Sequence, residues 1–91
     1  MTNAVVGNFA QQYPHLGWWV EHHGWFELGS DGFSRSLLRI LDEGGMYFEY
    51  TASDNIDFAL AAGEEYLEDE LAERFLIKLN RETGEFEDLE K

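Results

Sequence analysis

Between Trp25 and Tyr50 three short apolar runs are separated by two glycine-containing breaks, and few folds accommodate that spacing. The runs are Trp25-Phe26-Glu27-Leu28, Ser36-Leu37-Leu38-Arg39-Ile40-Leu41 and Met46-Tyr47-Phe48-Glu49-Tyr50. The breaks are Gly29-Ser30-Asp31-Gly32-Phe33-Ser34 and Asp42-Glu43-Gly44-Gly45. Such runs bounded by Gly, Asp and Ser read as a three-stranded antiparallel meander. A three-residue hairpin loop at Glu43-Gly44-Gly45, with a glycine in the left-handed conformation, sets Arg39 opposite Glu49 and Ile40 opposite Phe48. Pairing the first two strands around Phe33 sets Glu27 opposite Arg39 and Phe26 opposite Ile40. One register thus lines up Glu27, Arg39 and Glu49 across one face. It gathers Phe26, Leu28, Leu38, Ile40, Met46, Phe48 and Tyr50 on the other, so charge and hydrophobicity agree. A rival reading makes 33–42 a helix, because Phe33, Leu37, Leu38 and Leu41 also fit helical spacing.

The flanks are helical in pattern. Val5, Val6, Phe9 and Ala10 recur at helical spacing until Pro14, which lacks an N–H and opens a new helix as its first residue. From there Leu16, Trp19, Val20 and His23 share a face and Gly24 offers a stop, giving a kinked segment over about 4–23. Trp18 and Trp19 point in different directions on any helix, so at most one is fully buried. Beyond Ser53, Asp54 is the expected N-cap of a helix running from about 55 to about 79, with Ile56, Leu60, Leu67, Leu71 and Phe75 on its apolar side. Residues 81–91 read as an acidic, frayed tail in which only Phe86 and Leu89 dock. The expected fold class is α+β in the order α-β-β-β-α, with a kinked N-terminal helical segment and a long C-terminal helix on one face of the sheet. Residues 1–80 form its single domain, and 81–91 the tail.

A chain of 91 residues supports one hydrophobic core, and an aromatic fraction of 15% is enough to build it. With no cysteine, disulfides and thiolate metal sites are excluded. The Met1–Val6 stretch lacks the basic flank and long apolar run of a signal peptide, and no run approaches a membrane span, so a cytoplasmic address is expected. The 19 acidic and 6 basic residues leave a net charge of −13, a field that repels nucleic acid.

The charge also limits the candidate sites. Glu64, Glu65, Glu68, Asp69 and Glu73 stack like charges four apart along the last helix, against one well-oriented pair, Glu70 with Arg74. That acidic face suits a mimic of nucleic-acid charge or a clamp on a basic protein. His15, His22 and His23 are the metal-ligand candidates; their spacing departs from the three or four residues of helical metal motifs, so no metal or cofactor is assigned, and a histidine-centred metal site or enzyme built with nearby acids stands as a further alternative reading. No nucleophile elbow or acid–base pair stands out, and Gly29-Ser30-Asp31-Gly32 lacks the cations of a phosphate loop, so no catalytic residue is assigned. The outer sheet face carries the leading reading: Trp25, Leu37, Leu41 and Tyr47 around the Glu27–Arg39–Glu49 row form an apolar rim with a charged centre. Such a surface suits a small interaction or regulatory protein that binds a protein partner or, through a self-complementary row, a second copy as a homodimer.

Overall fold

The computed structural model describes residues 9–29 and 36–89. Residues 9–12 form a helical turn, and helix α1 follows over Pro14–His22. The break falls at Tyr13, whose φ of −129° and ψ of 73° lie outside the helical region, as the ring of a following proline demands. The two helical pieces close on each other at Gly17, where a Cβ would stand 3.0 Å from that of Ala10. Three strands follow: β1 at Trp25–Leu28, β2 at Leu38–Asp42 and β3 at Gly45–Tyr50. They pair antiparallel in the order β1-β2-β3, so the chain is an α+β fold built on a meander, with residues 38–42 extended and not helical.

The register places Glu27 opposite Arg39 and Arg39 opposite Glu49, with Phe26, Ile40 and Phe48 in the adjacent row. Close to the second turn it shifts: Leu41 faces Met46 and Asp42 faces Gly45, so the expected three-residue loop is a two-residue turn plus a bulge. A bulge sets one extra residue into one strand and re-aims the side chains beside it. Here it exchanges two residues of β3. Met46, expected inside, is 50% exposed, while Tyr47, expected outside, turns against the buried Trp19 with ring centroids 5.5 Å apart.

Helix α2 spans Ile56–Glu70 and continues as a π-helical turn, Leu71–Phe75. Its N-cap is Asn55, whose side chain accepts the Phe58 N–H at 2.9 Å, in place of the expected Asp54. Leu60, Gly63, Leu67 and Leu71, at intervals of three and four, are the buried stripe. Gly63 allows α2 to approach the sheet closely: a Cβ there would stand 2.6 Å from Leu38 Cδ2. The core lies between this stripe, Leu16 and Trp19 of α1, and Leu38 and Ile40 of β2.

The chain end departs from expectation. Leu76 adopts a left-handed conformation, φ 57° and ψ 43°, and ends the helical run before residue 79. Residues assigned to helix and tail instead make a second hairpin, β4 at Ile77–Asn80 and β5 at Glu85–Asp88. Asn80 organises its turn, accepting the Glu82 and Thr83 N–H groups, and Gly84 supplies the positive φ of 77°. Leu71, Phe75 and Leu79 recur every four residues and mimic a continuing helix. Yet Ile77-Lys78-Leu79-Asn80 also alternates, and Asn80, Thr83 and Gly84 are turn residues, so the local signal for a hairpin was present.

Candidate functional site

The three histidines lie in three places, each beside a carboxylate. His15 is fully buried, and Glu64 of α2 folds over the start of α1 to meet it. The Glu64 carboxylate accepts the His15 N–H at 2.9 Å and the Leu16 N–H at 3.0 Å, and its Oε2 is 2.5 Å from His15 Nδ1. Because Pro14 has no N–H, these are the first donors of the helix, and an anion from a neighbouring helix caps them. Glu64 therefore leaves the expected acidic face; Glu65, Glu68, Asp69 and Glu73 remain exposed on α2, with Glu68 reached by Arg81 at 3.5 Å. His22 meets Glu21, at 3.2 Å, on the exposed side of α1, with its ring beside that of Trp18. Among the described residues no group of three His, Cys, Asp or Glu side chains is arranged to hold a metal ion.

His23 belongs to a cluster at the turn end of the sheet. Its Nε2 is 2.7 Å from Asp42 Oδ2, while Asp42 Oδ1 accepts the Gly44 N–H at 2.7 Å. Trp19 lies beneath: its ring centroid is 4.5 Å from that of His23, and its Nε1 donates to Leu41 O at 2.8 Å and Trp25 O at 3.2 Å. Burial pushes the Asp42 carboxyl up, but hydrogen bonds from the Tyr47 hydroxyl, Gly44 and His23 outweigh it and hold the group below its ordinary value of 3.8. The same Asp42 contact, aided by burial, raises the Tyr47 phenol. A carboxyl depressed in the folded state stabilises the fold above its unfolded pKa, and that stability is lost as pH falls through the folded value. Urea midpoints of the wild type and Asp42→Asn are therefore expected to lie furthest apart near neutrality. They converge below about pH 4 as Asp42 takes up its proton. A separation unchanged across that range would contradict the depressed carboxyl.

The outer sheet face is only partly the one expected. Trp25, Glu27, Arg39, Leu41 and Glu49 take their places on it, and Met46 joins them through the bulge. Tyr47 faces inward, as described. Leu37 is buried in the core cluster, so it too leaves the face. The Trp25 indole donates to Glu27 Oε2 at 3.3 Å, and Arg39 Nε donates to Glu27 Oε1 at 3.0 Å. The terminal guanidinium nitrogens reach the β1–β2 connection: Nη1 donates to Ser36 O and Oγ, and Nη2 to Gly29 O. With its side chain 15% exposed, Arg39 clamps the two ends of the β1–β2 connection together. Spacing places Arg39 in the middle strand, but nothing in the sequence signals that its donors are taken by carbonyls brought close only by folding.

A groove of about 890 Å³ escaped the sequence reading altogether. It runs along α1 and is lined by two aromatic pairs, Phe9 with Phe26 and Trp18 with Phe86, with Glu21 and Glu85 also among its lining residues. Trp18 is only partly buried, as expected of one member of the Trp18–Trp19 pair. Phe86 is held in place by β5, against the rings of His15 and Trp18 at 5.2 and 6.1 Å.

Fold and surface together define a small α+β domain, a meander backed by two helices and a terminal hairpin. No helix among the described residues is long and apolar enough to cross a membrane. Comparison with known proteins finds no matching family model, no matching curated protein and no matching solved structure.

Proposed function

We propose that this domain is a protein-binding module whose outer sheet face receives a basic segment of a partner. The observation that carries the reading is the engagement of Arg39. With its guanidinium tied to Glu27, Ser36 and Gly29, Arg39 is not available to reach across an interface. What the face offers a partner is Trp25, Leu41 and Met46 beside the exposed Glu49, in a chain of net charge −13. An aromatic and aliphatic anchor with acids around it fits lysine or arginine side chains carried on an apolar backbone strand. The same engagement argues against the two-fold dimer, whose charge complementarity depends on an arginine free to meet the other copy's glutamate. Carboxylates would then face carboxylates.

An extended peptide of alternating lysine and leucine is a direct probe. Titrated into isotope-labelled protein, it is expected to shift the amides of β1–β3 around Trp25, Leu41, Met46 and Glu49. Raising salt from 50 to 500 mM should weaken it roughly tenfold, since exposed charge pairs are screened. Met46→Asp is expected to abolish the response while leaving the fold intact, because Met46 is half exposed. Shifts confined to Glu65, Glu68, Asp69 and Glu73 would move the function to the helix. A concentration-dependent dimer in light scattering, broken by Met46→Asp, would give the face to a second copy instead.

A further inference from the structure

The groove along α1 lies away from the outer sheet face and shares no residue with it. Its walls are largely aromatic: Phe9 stacks on Phe26 at 5.4 Å, and Trp18 leans against Phe86 at 6.1 Å. Its volume of about 890 Å³ falls within the range of small-molecule sites, which pair apolar walls with a few polar groups that fix orientation. Among the described residues that line it, the ionisable groups are Glu21, His22 and Glu85, with no lysine or arginine. Glu21 and Glu85 are exposed and stand on different elements, α1 and β5. His22 lies 3.2 Å from Glu21 and 5.2 Å from the Trp18 ring, in keeping with a place where a cation meets both a carboxylate and an indole face.

We propose that this groove is a binding site for a small amphiphilic cation, an aromatic or aliphatic body carrying one ammonium group. The body fills the space between the Phe9–Phe26 and Trp18–Phe86 walls. The ammonium sits at the mouth between Glu21 and Glu85, over the face of the Trp18 indole. Charge complementarity sets the sign of the ligand: an anion of the same shape meets two carboxylates and the field of the whole chain, and a neutral analogue gains the walls alone.

Three probes with one ring system separate these terms: naphthylmethylammonium, naphthylmethanol and naphthoate. Titration of isotope-labelled protein is expected to give saturable shifts of the Trp18 indole and the Gly17 and Gly84 amides with the ammonium. The alcohol is expected to bind about tenfold more weakly and the carboxylate not at all. The double variant Glu21→Lys, Glu85→Lys should reduce ammonium affinity about tenfold or more. A control, Glu65→Lys with Asp69→Lys, changes net charge equally on the exposed side of α2 and should leave affinity within about twofold. Equal binding of ammonium and alcohol, equal losses in the two double variants, or the absence of saturable shifts at Trp18 would each overturn the proposal. Because the probes are read at Trp18, loss of this site leaves the outer-face reading, read at Trp25 and Met46, untouched.

Discussion

Replacing Gly24 with alanine is expected to destabilise the domain by about 3 kcal/mol, a large share of what a domain of this size possesses. A Cβ at this position would lie 2.2 Å from the Leu41 carbonyl oxygen and 2.7 Å from Trp19 Nε1. The first is a backbone atom of the central strand and the second belongs to a fully buried indole, so neither moves without repacking the core. Relief of the overlap separates α1 from β2 and breaks the 2.8 Å hydrogen bond from Trp19 Nε1 to Leu41 O. Gly24 does not have a positive φ, so its need for glycine comes from close approach and not from a left-handed turn. Thermal unfolding should show a drop of more than about 10 °C, set against a few degrees at most for Gly44→Ala, whose Cβ would meet only Asp42 Oδ1 at 3.3 Å. Equal losses at the two glycines would show that the contact with Leu41 does not carry the effect.

The second large effect is expected at Glu64. Its carboxylate satisfies the two leading N–H groups of α1 and faces the buried His15 ring, and its side chain is only 18% exposed. Alanine strands the His15 and Leu16 N–H groups beside the buried His15 ring, which packs on Phe86, at a cost of roughly 3 kcal/mol, between the loss of a helix cap and that of a buried pair. Glutamine keeps one accepting oxygen but turns an amide N–H₂ toward donors, so it should recover only part of the loss. Glu65→Ala, on the exposed side of the same helix, is expected to stay within about 0.5 kcal/mol of wild type. Urea denaturation of the three variants checks the order, and a Glu64→Ala protein as stable as Glu65→Ala would dismiss Glu64 as the cap of α1.

These two residues show where sequence reading stops. Gly24 was legible as the end of a helix, because glycine after a helical run is a frequent stop. Its contact with Leu41, 17 positions along the chain, was not. Glu64 read as one of five acids on a polar stripe, because helical spacing assigns a residue to a face without saying what stands opposite. The pattern carries burial by periodicity alone, and a carboxylate that caps another helix breaks it. His15 inverts the case: nothing in its neighbours in sequence marks it as buried, and it becomes so because Glu64 and Phe86 close over it.

The bulge near Leu41 has the same origin. Alternation predicts which strand residues face the core, and it held through Phe26, Leu38, Ile40 and Phe48, where pairing is regular. It failed at Met46 and Tyr47 because one extra residue in β3 flips the alternation. That residue is accommodated by the cluster of Asp42, His23, Tyr47 and Trp19, whose members come from α1, the residue that caps its end, β2 and β3.

What the sequence determined by itself is local and periodic: the break at Pro14, the three strands with Glu27, Arg39 and Glu49 in register, and the apolar stripe of α2. Turn chemistry, proline geometry and the spacing of apolar residues act within a few positions of the chain, and they leave their mark on its order. Tertiary structure alone decided that Arg39 is held by backbone carbonyls, that Glu64 is an inward cap, that Tyr47 and Leu37 leave the outer face, and that Phe9, Trp18 and Phe86 meet in a groove. Each of these depends on which polar and aromatic groups from distant segments arrive within hydrogen-bonding or van der Waals range, and pairwise distances of that kind have no period in a sequence.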